Sequence, residues 1–226
     1  GSQALVLGTN ANAMAVVKND YGDPWSNQLV INRDGVSTAL NENTMGDGEI
    51  SGLLRFQNAD LQEGRNLLGR LTLSVSTAMN DQHKLGLDLD GNAGGNLFTQ
   101  VSLGPSNVFI PKQAAAPAPQ VKVNTGNATL GLAISDVSKF AASDYEVNFS
   151  SATQGSITRK SDGVVRSFDI STVAAATTSS LQVVDLGGGV NAVNVDGINI
   201  TLPSGTPNAG DRFLIKPYNT SAGNIT

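Results

Sequence analysis

Apolar residues recur between residues 48 and 84 with the spacing of an amphipathic helix. The stripe consists of Ile50, Leu54, Leu61, Leu68, Leu71 and Val75. Its three-, four- and seven-residue steps are typical of a helix that packs lengthwise against other helices. Gly64 and Gly69 each cost such a helix about 1 kcal/mol relative to alanine, so we expect one of them to mark a close approach or a break. The rest of the chain offers no second helix of that length, so the partners of the stripe are expected outside this chain.

Short apolar runs separated by turn residues predict strands in two regions. In the first region the runs are 4–7, 14–18, 28–32 and 36–40. In the second region they are 129–135, 145–149, 156–160, 164–170, 191–202 and 212–216. Asp34-Gly35 and Asp196-Gly197 are two-residue hairpin signals, and a short helix is expected at 136–142. The second set predicts a β-sandwich or a partly open barrel.

These patterns together predict an α+β fold with two domains. Residues 1–87 are expected to contain a small β-hairpin region and the long helix, whose packing partners are missing. Residues 88–226 are expected to form a β-rich domain.

The composition excludes several classes of chemistry. The chain of 226 residues has no cysteine, a single histidine and a net charge of −5. Disulfides, cysteine nucleophiles and multi-histidine metal sites are therefore excluded, and a catalytic triad would depend on His83. The acidic balance argues against nucleic-acid binding, and no apolar run approaches the ~20 residues of a membrane span. Gly1-Ser2 resembles a cloning remnant and no signal-peptide pattern is present after it, so we expect a fragment of a longer protein.

The few motifs that suggest chemistry are weak. Residues 88–94 resemble the start of a calcium loop, but Ala93 and Thr99 replace the glycine and the bidentate glutamate that such a loop requires. We therefore predict a turn there. His83 is expected to complement the dipole at the end of the helix. We predict no catalytic residue, no metal site and no cofactor.

Three longer segments together resemble one known family. The first is 48–71, with Gly-Glu-Ile-Ser-Gly-Leu-Leu-Arg-Phe at its start and Arg-Asn-Leu-Leu-Gly-Arg-Leu at its end. The second is 80–98, which contains Asn-x-Gln-His and Gly-x-Asp-x-x-Gly, and the third combines 128–145 with Gly-Asp-Arg-Phe at 210–213. The chain resembles the bacterial flagellar hook-associated protein 1 family over most of its length. The stretches at 114–119 and 171–180 depart from the family pattern.

The resemblance implies a structural protein of the bacterial flagellum that joins hook to filament outside the cell. The helix stripe would pack in an intrachain helical bundle, and the β-rich domain would project outward. The implied partners are copies of the same protein, the hook protein and the second junction protein. An export chaperone would bind a C-terminal segment beyond this chain. The family implies neither a nucleic-acid partner nor a membrane partner.

Three other functions remain open at the level of sequence. The first is a surface-exposed binding module or adhesin, which exposed aromatic residues on one sheet face would favour. The second is a hydrolase of cell-wall polymers, for which no paired carboxylates are evident. The third is another axial flagellar protein, from which the motif at 80–98 distinguishes this chain.

Overall fold

The computed structural model describes residues 6–40, 45–46 and 48–219. The chain divides into two compact units. The first comprises Gly1–Gln62 and Phe109–Asn124, and the second comprises Glu63–Val108 and Thr125–Thr226. The expected division of the protein into 1–87 and 88–226 stays a prediction.

The first unit contains two small sheets. The strands of the first sheet are β1 (Val6–Leu7) and β2 (Asn10–Ala11), and those of the second are β3 (Ala13–Lys18), β4 (Asn27–Arg33) and β5 (Val36–Leu40). The second sheet is antiparallel in the order β3-β4-β5. Asp34 and Gly35 both have positive φ, 50° and 81°, which confirms the predicted two-residue hairpin turn. Residues 4 and 5 of the first predicted strand lie outside the described residues.

The predicted helix is confirmed, with one irregularity that the periodicity did not predict. It comprises α1 (Glu49–Arg55), a π-helical turn (Phe56–Asp60) and α2 (Leu61–Lys84). The backbone N–H of Leu61 donates to the carbonyl of Phe56, five residues earlier. Within the first unit, Gln57 Nε2 donates to the backbone carbonyl of Asn27 at 2.8 Å. Gln57 lies within the π turn, which accommodates one residue more than an α-helical turn.

The second unit contains a β-sandwich. Its strands are β6 (Val108–Phe109), β7 (Thr129–Ile134), β8 (Tyr145–Phe149), β9 (Gln154–Arg159), β10 (Val165–Asp169), β11 (Gln182–Asp185), β12 (Asn191–Val195), β13 (Ile198–Ser204) and β14 (Arg212–Ile215). A five-stranded sheet has the order β10-β9-β8-β14-β6, and a four-stranded sheet has the order β11-β12-β13-β7. The described strands form two open sheets that share one hydrophobic cluster and no closed barrel, which confirms the predicted α+β class.

Alternation explains why β8 is a strand. In β8 the buried positions are Tyr145, Val147 and Phe149, and the residues between them are half-buried. Such a period of two places one face of a strand in the core. The ring of Phe149 meets those of Phe168 and Phe213 edge to face, at 5.5 and 5.8 Å between centroids. Aromatic packing of this kind holds the centre of the sandwich.

Two local predictions in this unit were wrong or incomplete. The segment 136–142 forms only one 3₁₀ turn, Val137–Lys139, because Phe140 already has an extended ψ of 125°. Asp136 caps this turn by accepting the backbone N–H of Ser138. Strand β11 was not predicted, because it has only four residues between a Ser/Thr-rich stretch and three glycines.

Candidate assembly surface

One face of α2 is fixed within the second unit, and its residues are mostly small or polar. The buried residues are Asn66, Gly69, Leu73, Ser76 and Asn80. Their alternating three- and four-residue steps define a single side of the helix. Leu73 has no solvent exposure and belongs to the same hydrophobic cluster as the sandwich core. The helix therefore packs on the sandwich through a stripe that has little hydrophobic character.

Gly69 allows the closest approach on this face. A Cβ atom at Gly69 would lie 2.5 Å from the Cβ of Tyr218 and 3.1 Å from its carbonyl oxygen. The hydroxyl of Tyr218 donates to the carbonyl of Ala141 at 2.7 Å, so its side chain is held at both ends. Gly69 is thus the close helix approach expected from sequence, whereas a Cβ at Gly64 would meet nothing within 4 Å.

The C-terminal end of α2 fastens the loop that comes after it. Asn80 donates from Nδ2 to the carbonyl of Phe98 at 2.9 Å and accepts the N–H of Phe98 at 2.8 Å. His83 Nδ1 lies 2.8 Å from the carbonyl of Gly95, to which it can donate. A Cβ at Gly94 would clash with the backbone of His83. The sequence pattern at 80–98 therefore encodes a loop held against the helix end.

The opposite face of α2 is apolar and uncovered in the described structure. Its exposed residues are Leu67, Leu68, Leu71, Val75 and Met79. Leu71 and Val75 each lie two residues from Leu73, which places them roughly 200° around the helix from it. Leu71 is 60% exposed, whereas Leu73 is 0% exposed. Within the second unit, α2 thus buries its polar side and presents its apolar side.

The predicted packing residues lie on exposed or partly exposed positions. Leu68, Leu71 and Val75 are on the apolar face of α2. In the first unit Ile50 is exposed, and Leu54 and Leu61 are half-buried. The sequence interpretation left Leu67 and Met79 out of the stripe, although a helical projection places both beside it.

The Asp88 loop is built by its own hydrogen bonds. Asp88 Oδ1 accepts the backbone N–H groups of Asp90 and Asn92, and Oδ2 accepts from the amide of Asn92. The backbone and side-chain bonds from Asn92 lower the pKa of Asp88. Among the described residues, no three histidine or acidic side chains are grouped closely enough to share a metal ion. The geometry is that of a turn.

A second polar cluster ties two hairpins of the sandwich together. Tyr145 donates to Asp196 Oδ2 at 2.8 Å, and Arg159 donates to both oxygens of Asp196. Arg159 also pairs with Asp162 at 2.6 Å. Burial, and then the charge of Asp196, raise the pKa of Tyr145 far above its usual value. Its phenol stays protonated as a donor, so the cluster serves to hold the strands in place.

Asp211 closes the end of the sandwich. Its carboxylate, which is 2% exposed, accepts the backbone N–H groups of Thr125, Gly126 and Asn208 at 2.8, 3.0 and 2.8 Å. Burial acts to raise the pKa of Asp211, but the N–H donors of Asn208, Thr125 and Gly126 outweigh it, and the pKa is lowered. Asp211 of the Gly-Asp pair therefore has a structural role, because it holds the backbone at 125–126 against the backbone at 208.

Known proteins of one family match this chain over nearly its whole length. The model of the flagellar hook-associated protein FlgK helical domain matches residues 1–98, and that of the D2-like domain of flagellar hook-associated protein 1 matches residues 121–217. Flagellar hook-associated protein 1 of Escherichia coli K12 is 30% identical over 222 residues, and that of Salmonella typhimurium LT2 is 28% identical over 221 residues. These alignments cover 98% and 96% of this chain, but only 35% and 34% of the relatives.

A solved structure of the same family also matches this chain. The flagellar hook junction protein FlgK from Burkholderia pseudomallei is 28% identical, with a TM-score of 0.70 over 98% of this chain and 36% of that one. The matches place the chain in the class of flagellar hook-associated proteins. It belongs to the flagellar hook-associated protein 1, or FlgK, family. The chain spans about a third of the length of these relatives. No helix among the described residues has the length and hydrophobicity needed to cross a bilayer.

Proposed function

We propose that this chain is part of a structural protein that joins the hook of the bacterial flagellum to its filament, outside the cell, and acts by subunit packing. The observation that carries the proposal is the uncovered apolar face of α2, because the opposite face is already fixed on the sandwich. An exposed apolar stripe of this kind marks an interaction site. Family membership supplies the flagellar setting.

The stripe gives the mechanism. Ile50, Leu54, Leu61, Leu68, Leu71 and Val75 are proposed to pack in a helical bundle with segments of the longer protein. The relatives are about three times as long as this chain, which leaves ample sequence for such segments. The division into an inner helical domain, 1–87, and an outer β-rich domain, 88–226, belongs to this proposal. No residue is assigned a catalytic role, and no cofactor or metal is invoked.

The proposed partners are copies of the same protein and the neighbouring axial proteins, namely the hook protein and the second junction protein. An export chaperone is proposed to bind a segment C-terminal to this chain. The acidic net charge of −5 supports protein rather than nucleic-acid partners.

Immunogold electron microscopy tests the location. Antibody raised against this chain should label intact flagella only at the boundary between hook and filament. Cells that lack the gene provide the control for specificity. Label along the filament would instead support a filament protein, and label on the cell body would support the adhesin alternative; either result would contradict the junction role.

A pair of variants of the full-length protein tests the mechanism. Leu68→Asp combined with Leu71→Asp should abolish filament attachment and motility, because two carboxylates would have to enter an apolar bundle. Gln82→Asp, on an exposed position near the helix end, is the matched control and should leave motility intact. Normal motility of the double variant would exclude the stripe as the assembly surface.

A further inference from the structure

The loop after α2 presents three leucines to solvent, each separated by one residue. Leu85 is 79% exposed, Leu87 is 73% exposed and Leu89 is fully exposed. We call Leu85, Leu87 and Leu89 the leucine tip. Single exposed leucines are common on protein surfaces, but here three lie within five residues, and burying their side chains would be stabilising.

Hydrogen bonds to the end of α2 hold the loop that carries the leucine tip. The bonds of Asn80 to Phe98 and of His83 to Gly95 hold the end of the loop. The N–H of Gly94 donates to the carbonyl of Gly86 at 2.9 Å, between the leucines. Surfaces held in this way lose little conformational entropy when they bind. The leucines are therefore exposed on a loop whose conformation is held by hydrogen bonds.

The charge around the leucine tip is acidic. Residues 81–90 carry three carboxylates, Asp81, Asp88 and Asp90, against one lysine, Lys84. Asp88 is occupied with the turn. A partner surface of matching chemistry would be apolar and basic.

The chain itself contains a segment with that chemistry in the first unit. Between residues 91 and 135 there is no acidic residue, and the basic residues are Lys112 and Lys122. Both lysines are exposed, as are Ile110 and Val123 beside them. We call residues 110–123 the basic loop.

The basic loop is also held by its own contacts. The side chain of Gln113 donates to the carbonyl of Pro119 and accepts the N–H of Val121 at 2.7 Å. These bonds bring the two ends of the loop together, next to Lys112 and Lys122. The N–H of Lys112 donates to the carbonyl of Asp20 at 2.8 Å. Lys112 and Lys122 therefore lie where the two ends of the basic loop meet, and apolar side chains are exposed beside them.

We infer that the leucine tip of one copy docks on the basic loop of a second copy of this chain. The inference rests on the proposed function, because it names a contact between subunits of the proposed assembly. Two different surfaces meet in such a contact, so each copy can bind one neighbour on either side, which is the arrangement that builds rings and helical tubes. The leucines contribute apolar burial, and the charges set orientation.

The contact is expected to be weak between free copies. Three leucines provide far less than the ~800 Å² per partner of a typical stable interface. The contact gains strength when other interactions hold the copies side by side, because the effective concentration is then high. Its detection in solution therefore requires concentrated protein and a covalent trap.

The absence of cysteine from the sequence makes disulfide trapping direct. Leu89→Cys and Val123→Cys variants, one of them isotopically labelled, are mixed at high concentration, oxidised mildly and analysed by mass spectrometry. The mixed dimer should exceed both homodimers. The control pair, Leu89→Cys with Ala175→Cys, places the second cysteine on an exposed residue of the 171–180 stretch and should give only background.

Charge reversal tests the orientation. Asp90→Lys in the first partner or Lys122→Glu in the second should each lower the yield about two- to five-fold, the range for an exposed ion pair. Both changes together should restore it. Asp90 is chosen over Asp88 because its carboxylate takes no part in the turn. Circular dichroism verifies that every variant is folded.

Two outcomes would overturn the inference. One is a mixed dimer at or below the control level, or one that ignores charge reversal. The other is rapid intramolecular disulfide formation in a single chain carrying both cysteines at high dilution, which would place the contact within one copy. Neither outcome affects the immunogold result, so failure of this contact is distinguishable from failure of the junction role.

Discussion

At the scale of single residues, the helix is attached to the sandwich by residues that hydrophobicity does not reveal. Gly69 admits the Tyr218 side chain, and Asn80 forms both hydrogen bonds of a strand-like pair with Phe98. Asp211 gathers three backbone N–H groups that have no partner in either sheet ladder. The identity of such residues is determined by the space available and by hydrogen bonding. An analysis of the hydrophobic pattern therefore does not detect them.

Replacing Gly69 with alanine should destabilise the second unit by about 1–3 kcal/mol, the usual cost of overpacking. The loss arises although alanine favours helix by about 1 kcal/mol. Gly64→Ala is the matched control and should stabilise by about 0.5–1 kcal/mol, because the new methyl group meets open space. Urea unfolding of the two variants measures both effects. Equal stabilisation by both would refute the close contact.

Asp211→Asn should destabilise the fold by about 2–3 kcal/mol at neutral pH, because an amide cannot accept all three N–H donors. The pKa of Asp211 is lowered in the folded state, so its stabilisation is complete above about pH 4, the unfolded value. It is lost as the pH falls through the folded pKa. Urea midpoints of the variant and the parent should therefore converge in acid. Asp90→Asn serves as the control, with a small difference at every pH.

The Asp88 loop leads to a prediction about metal removal. Its carboxylate oxygens are taken by backbone and amide donors, so chelation should leave the melting temperature unchanged. Thermal unfolding followed by circular dichroism, with and without a chelator, measures this. A lower melting temperature with chelator that added calcium reverses would establish a cation site instead.

At the scale of elements, α2 has its faces inverted relative to a surface helix of a complete globular domain. Its small and polar side packs on the sandwich, and its leucine-rich side is uncovered. The usual expectation is the reverse. The inversion is explained if the leucine face is reserved for packing beyond this chain.

A matched pair of leucine truncations tests this assignment of faces. Leu73→Ala should destabilise the chain by about 2–5 kcal/mol, the cost of a cavity in a core. Leu68→Ala should change the stability by less than about 0.5 kcal/mol, as for other surface positions. Chemical denaturation of this chain distinguishes the two. A large loss from Leu68→Ala would mean that its face is already covered.

Elements with strong periodicity were predictable from sequence, and those determined by tertiary contacts were not. Alternation identified β8, and the Asp-Gly pairs identified two hairpins, because local sterics decide both. The π turn, in contrast, contains Gln57, whose side chain bonds to Asn27, thirty residues away. Leu68, Leu71 and Val75 were predicted to share one face of the helix because apolar residues repeat at helical spacing; their role in packing stays a prediction. The leucine tip was not predicted, since alternate leucines are also typical of a strand.

At the scale of the molecule, the chain consists of two compact units whose boundary falls within one helix, between Gln62 and Glu63. The uncovered apolar face of α2 and the leucine tip are the surfaces that we propose to contact other segments. In the relatives, the sequence outside the matched region is about twice as long as the sequence within it. Assembly is therefore proposed to depend on sequence that this chain lacks.

The isolated chain should accordingly be largely monomeric at micromolar concentration. The proposed tip contact is too small to hold free copies together, and the proposed bundle requires segments of the longer protein. Sedimentation velocity across a concentration series measures this. A stable oligomer at the lowest concentration would mean that the bundle surface is self-complementary.

The contact between Gly69 and Tyr218 has a mechanical consequence. Tyr218 lies three residues after the end of β14, and β14 lies inside the five-stranded sheet beside β8. A displacement of α2 at Gly69 is therefore passed to Tyr218 directly, and from there to the interior of the sheet through only three residues. Within the second unit, the part of α2 around Gly69 and the sandwich should therefore move together, and a bulky residue at position 69 would force them apart.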